Sequence, residues 1–103
     1  MITPDEELIE EVFMTAQFII IHPLDNVAIA LRNLKKGEKL SLPDGGVLTI
    51  LSDIPYSHKV AIKDIPTGAA VFKYGEIIGG AKEPVQKGDW VHTHNLDIED
   101  KKR

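Results

Sequence analysis

A chain of 103 residues, 43% of them hydrophobic and 27% charged, suits one globular domain with a modest core and is too apolar to be disordered. Its formal charge of −4 and pI near 5.5 leave no basic footprint for nucleic acid, and no apolar run reaches the length of a membrane span. Cysteine is absent, which excludes disulfides and thiolate chemistry and fits a cytoplasmic setting. The acidic start, Thr3-Pro4-Asp5-Glu6-Glu7, is the opposite of a basic targeting segment.

Residues 3–14 predict a short amphipathic helix. Thr3 caps it, Pro4 suits its first position, Glu6 completes a capping box, and Leu8, Ile9, Val12 and Phe13 share one face. Phe18-Ile19-Ile20-Ile21 is a buried-strand pattern stopped by His22-Pro23. Asp25 is positioned to cap a second helix with Val27, Ile29, Ala30 and Leu34 as its apolar stripe, closed by Lys35-Lys36-Gly37.

From Glu38 the pattern becomes short strands with frequent turns. Pro43-Asp44-Gly45-Gly46 signals a hairpin, and Val47–Leu51 follows as a strand. Further strand segments are 60–63, 71–74, 76–79 and 89–92. Glycines 37, 68 and 88 each stand just before an apolar segment. These features predict a mostly-β chain with one or two short helices, folded as a compact barrel-like or ribbon form. The expected organisation is a helical extension over 1–16, a domain over 17–97 and a charged tail over 98–103.

The histidines, four in all, lie in short polar motifs. His92 and His94 are two apart, so a strand would present both on one face, a spacing that suits two metal ligands or an acid/base pair. The bland alternative is a polar strand end. His58-Lys59 follows Pro55-Tyr56, and Lys73-Tyr74-Gly75 ends a strand at a glycine, where backbone can approach a ligand. A lysine and a tyrosine there can hold an anion, although such a pair is more often surface charge and partial core.

In order, Ile21-His22-Pro23-Leu24-Asp25-Asn26-Val27-Ala28, His58-Lys59-Val60-Ala61, Phe72-Lys73-Tyr74-Gly75-Glu76-Ile77-Ile78-Gly79 and Gly88-Asp89-Trp90-Val91-His92-Thr93-His94-Asn95-Leu96 resemble the N-terminal domain of altronate and galactarate dehydratases. The same module resembles the small subunit of sulfolactate sulfo-lyase. The resemblance covers residues 17–97 and implies a SAF domain with a β-clip fold. Two departures stand out. Ser57 occupies the place where the family usually has glycine, and the large second region of the dehydratases is missing, which implies a stand-alone small subunit or a piece of a longer enzyme.

The resemblance implies elimination of water or sulfite from a sugar acid or 2-hydroxy acid, giving a 2-keto acid, in a site completed by a large partner subunit. It implies a divalent cofactor, iron(II) or else manganese or magnesium, with His22, His92 and His94 as its candidate ligands. His58, Lys59, His92 and His94 are the candidate catalytic residues, with His58 protonating the leaving oxygen. Lys59 and Lys73 are expected to neutralise the carboxylate or sulfonate. Asn26, Lys73, Tyr74 and Asn95 are the candidate substrate-binding residues. Partners expected are the large subunit, the acid substrate and a second copy of the isolated chain, with neither nucleic acid nor membrane. A non-catalytic sugar-acid-binding or regulatory module, or a purely structural subunit, is the competing reading.

Overall fold

The computed structural model describes residues 17–98. The helix expected over 3–14 and the charged tail beyond 98 lie outside the described residues. Nine short strands make up the regular structure of the described residues: β1 (Phe18–Ile19), β2 (Val27–Ala30), β3 (Lys39–Ser41), β4 (Val47–Thr49), β5 (Lys59–Ala61), β6 (Ala70–Lys73), β7 (Glu76–Ala81), β8 (Trp90–Val91) and β9 (Leu96–Ile98). They form an antiparallel sheet in the order β1-β2-β5-β8, a hairpin β3-β4, and a sheet in the order β6-β7-β9. The mostly-β expectation therefore holds.

The helix expected from Asp25 is not formed. Residues Val27–Ala30 are instead strand β2, paired with β1 on one side and β5 on the other. The four-sheet strands carry buried side chains on both faces. Ala28, Ala30 and Val60 belong to one core with Leu34, Leu48 and Ile54. Val27, Ala61 and Val91 belong to a second core with Ile65, Val71 and Val85. A strand covered on both faces reads as a continuous apolar run, which periodicity cannot tell from a buried helix. The β-branched Val27 and Ile29 tip the balance to strand once partners are present.

One turn recurs four times, at 35–38, 55–58, 66–69 and 86–89. In each, the first carbonyl accepts the N–H three residues on, at 2.9–3.1 Å. The third position has positive φ: Gly37 94°, Ser57 69°, Gly68 85° and Gly88 97°. This is the requirement of a type II turn. The residues ahead of the turns pair as isolated bridges, Leu34 with Ile54 and Ile65 with Val85. The first pair sits in the first core and the second pair in the second core. The molecule is thus two similarly built halves on either face of a shared sheet. Lys35-Lys36-Gly37, expected to close a helix, is the first of these turns.

Candidate functional site

Three groups of side chains gather the residues that the sequence singles out. The first surrounds Trp90. The register Lys59↔Val91, Val60↔Trp90 places His58 opposite His92, one step beyond the last paired residues. Their rings lie 5.1 Å apart between centroids. His92 stacks on Trp90 at 5.0 Å and 9°, and His94 meets the same indole at 5.6 Å and 52°. The indole Nε1–H donates to His58 Nδ1 at 3.2 Å.

The strand expected to carry His92 and His94 stops at Val91, and 92–95 is a turn. Asn95 makes it: its N–H and that of Leu96 both donate to the His92 carbonyl. Its Oδ1 accepts from His92 N–H at 2.9 Å, and its Nδ2 donates to the Trp90 carbonyl at 2.9 Å. The two histidines meet through Trp90, not through strand alternation. Asn95 is 3% exposed, and both ends of its amide are engaged by this turn.

The second group is cationic. Alternation along β5 turns Lys59 away from the Val60–Trp90 face, toward Ile29 and Val91. Lys59 is half-buried. Burial, and secondarily the positive charge of Lys73, hold its pKa below the ordinary lysine value. The Lys73 ammonium lies 4.8 Å from the Tyr74 ring centroid.

The third group fixes the hairpin that carries Lys73. Lys73↔Glu76 closes a two-residue turn. Tyr74 and Gly75 both have positive φ, 59° and 78°, as a type I′ turn requires. Tyrosine is a costly occupant of that region. Asp25 holds it there, accepting from Tyr74 N–H at 3.0 Å, Gly75 N–H at 2.8 Å and His22 N–H at 3.1 Å. Asp25 is 2% exposed. Burial raises its pKa, but the N–H donors of Gly75, Tyr74 and His22, with the nearby His22 ring, win and leave it below the ordinary aspartate value. A Cβ at Gly75 would sit 2.9 Å from two carbons of the His22 ring, so glycine is required there for both space and backbone angle. Asn26 docks the hairpin strand onto β2: Oδ1 accepts from Phe72 N–H at 2.8 Å and Nδ2 donates to the Ala70 carbonyl at 3.0 Å. Like Asn95, Asn26 spends its amide on backbone.

The structure therefore brings together His58, His92 and His94, and separately Lys73 with Tyr74, while Lys59 is within reach of the Lys73 charge. His22 stands with Asp25 and Gly75 instead of with His92 and His94. Two residues were missed in the sequence. Asp25 was assigned to a helix cap, and its true signal is the His-Pro-x-Asp loop ahead of a strand. Trp90, the sole tryptophan, reads in the sequence as a strand residue and a member of the Gly88–Leu96 motif, with no role of its own.

A divalent metal needs convergent lone pairs, and these residues do not fit one. Among the described residues no three His, Asp or Glu side chains form a group able to hold an ion. Moreover, His22 Nδ1 accepts from Leu24 N–H at 3.1 Å, and His58 Nδ1 is taken by the indole. A surface crevice of about 400 Å3, lined by Ile20, Pro23, Leu42 and Ile62 among others, includes Asp25 but none of His58, His92 and His94. Among the described residues no helix is long and apolar enough to cross a membrane.

Comparison with known proteins matches residues 16–99 to the profile described as the altronate/galactarate dehydratase SAF domain. The chain is 46% identical to altronate dehydratase of Escherichia coli over 79 residues, covering 77% of this chain and 16% of that protein. It is 42% identical to galactarate dehydratase (L-threo-forming) of the same organism, covering 75% of this chain and 14% of that protein. Against the (2R)-sulfolactate sulfo-lyase subunit alpha of Paracoccus pantotrophus it is 48% identical over 48 residues, covering 47% of this chain and 72% of the subunit. The chain thus spans about a sixth of the dehydratases and most of the length of a small lyase subunit. On the strength of the profile, matched over most of its length, the chain belongs to the altronate/galactarate dehydratase SAF domain family.

Proposed function

We propose that this chain is the small component of a lyase that eliminates water, or sulfite, from a sugar acid or 2-hydroxy acid to give a 2-keto acid, its site being completed by a larger subunit or region. The observation that carries this reading is the pairing of half-buried Lys59 with Lys73 at the strand end that also bears His58. Lys59 feels the positive charge of Lys73, and two cations that act on one another in this way form a receptor for an anion.

The chemistry gives that receptor a purpose. Removing the proton at C2 places negative charge beside the substrate carboxylate, and that proton is acidic only if the growing charge is stabilised. Lys59 and Lys73 meet the carboxylate and lower the cost of the enolate that forms. The adjacent His58 offers a ring nitrogen to the oxygen or sulfonate that departs from C3. His92 and His94 supply further imidazoles beside it. The Tyr74 hydroxyl, on an exposed turn, is available to a substrate hydroxyl. No step is assigned to a metal, because the described histidines form no ligand set.

The test is capture of the native complex from the source cell, with identification of what co-purifies. Assay of that complex for 2-keto acid formation from altronate, galactarate and sulfolactate follows. The expected result is a large partner and turnover of one of these acids, lost in a Lys59→Met, Lys73→Met double variant. Recovery of the chain without partner or turnover favours the second reading, a sugar-acid-binding module. The solvent exposure of Tyr74, at 55%, is what keeps that reading open, since an anion site so exposed can bind without enclosing its ligand.

A further inference from the structure

We propose that Trp90 is a positioning residue that locks His58 in the tautomer bearing its proton on Nε2, so that His58 serves as a hydrogen-bond donor and not as the base. The catalytic half of this proposal rests on the lyase reading above; the tautomer half does not.

An indole N–H can only donate. A ring nitrogen that accepts it cannot itself hold a proton, so the neutral His58 ring must be protonated on Nε2. The contact is 3.2 Å, Nε1 to Nδ1, and partly buried. Rotating the His58 ring by half a turn would put a carbon against the indole and forfeit the bond.

The donor is itself held on several sides. His92 lies flat on the indole at 5.0 Å, and His94 closes from a third direction at 5.6 Å. The Trp90 carbonyl is held by the Asn95 amide, and its strand pairs with Val60. On the other side, His58 is fixed by its turn: its N–H donates to Pro55 and its carbonyl accepts from Ala30. A single bond between two immobilised rings selects one tautomer more firmly than it would between free side chains.

The chemical consequence is a division of labour. With Nδ1 occupied, the donor that remains is Nε2–H, which can polarise a departing or enolic oxygen, as neutral imidazoles do elsewhere. The same nitrogen has no lone pair with which to take the C2 proton. The base must then be another group, from this chain or from the partner.

The experiment uses the full chain labelled with 15N histidine, read by long-range 1H–15N correlation at mildly alkaline pH. The expected His58 pattern is a protonated Nε2 and a hydrogen-bonded, unprotonated Nδ1. Trp90→Phe keeps a flat ring but removes the donor, and should move His58 to a tautomer mixture. His92→Phe should leave the His58 pattern unchanged. A wild-type His58 protonated on Nδ1, or a pattern indifferent to Trp90→Phe, overturns the proposal. Should Trp90→Phe fail to fold, solvent exchange of the single wild-type indole N–H decides: slow exchange supports the bond, free exchange overturns it. In the assembled lyase, Trp90→Phe should lower kcat by roughly tenfold or more with little change in KM. Unchanged kcat despite a shifted tautomer overturns the catalytic half alone.

Discussion

Ser57 shows how one residue can carry a measurable strain. Three of the four equivalent turns place glycine at the positive-φ position, and the fourth places Ser57 there at φ 69°. A side chain in that region costs about 1–2 kcal/mol, partly offset by the greater unfolded-state entropy of glycine. Ser57→Gly should therefore stabilise the chain by about 0.5–1 kcal/mol, read as a higher urea midpoint at unchanged slope. Loss of stability instead would mean that the serine hydroxyl contributes more than its backbone costs. Asp25 acts in the opposite sense. It collects three backbone N–H bonds in a buried place, and an amide oxygen in its stead can keep only part of them. Asp25→Asn should cost about 2–4 kcal/mol. Its carboxyl titrates below the ordinary value in the fold. The stability it contributes is thus complete above the ordinary aspartate pKa and is lost as pH falls through the folded value. Acid unfolding of the Asn variant should lack that component, which a pH series of denaturant midpoints measures directly.

At the scale of elements, the sequence was legible where one face is wet and misleading where both are dry. The Pro43–Gly46 hairpin is seen directly: Asp44 Oδ1 accepts from Gly46 N–H at 2.8 Å, an interaction written in the local residues. Strand β2 is not, because its helix-like apolar stripe comes from two cores that only the assembled sheet creates. The motif residues were likewise found, but their grouping was not. Which imidazole meets which depends on the register between β5 and β8, and that register is a long-range fact. The same register sets the behaviour of Lys59. Its lowered pKa means that the unfolded chain binds more protons in the window between the folded and ordinary lysine values, so stability rises with pH there. Anion binding runs the other way, since the receptor weakens as Lys59 loses its proton. Sulfate should raise the unfolding midpoint at neutral pH and lose this effect at alkaline pH. Lys73→Gln should weaken the sulfate effect while moving the Lys59 pKa up, visible by NMR of the ammonium or its neighbouring carbons. An equal sulfate effect in wild type and variant would show that the two lysines do not act on one anion.

At the scale of the whole molecule, the repeated turns explain how so small a chain holds two cores. Each turn amide at the third position donates to a backbone carbonyl outside its own turn, in a strand or just past one: Gly37 to Ile50, Ser57 to Ala30, Gly68 to Ala81 and Gly88 to Ala61. Gly88 is the tightest of these junctions, since a Cβ there would lie 1.9 Å from the Thr49 carbonyl oxygen. Side chains add latches between paired turns, and the two halves differ in how many they have. In the first half Asn33 Oδ1 accepts from Tyr56 N–H at 2.8 Å, and Asp53 Oδ1 accepts from Lys36 N–H at 2.9 Å. In the second, Asp64 Oδ1 accepts from Lys87 N–H at 2.8 Å, while the position equivalent to its partner is Pro84, which has no side-chain acceptor. Removing one of two latches leaves the first pair of turns still tied; removing Asp64 leaves the second pair with its backbone bridge alone. Asn33→Ala and Asp53→Ala should each cost about 1 kcal/mol, and Asp64→Ala about 1.5–3 kcal/mol, as for a charge-assisted bond without a substitute. Amide exchange would locate the difference, with Lys87 and Val85 losing protection in the Asp64 variant while Leu34 and Ile54 keep theirs. Because Trp90, His92 and His94 follow directly on the last turn of the second pair, that same variant should loosen their side of the aromatic cluster first, and equal exchange in both halves would show that the two turn pairs unfold as one unit.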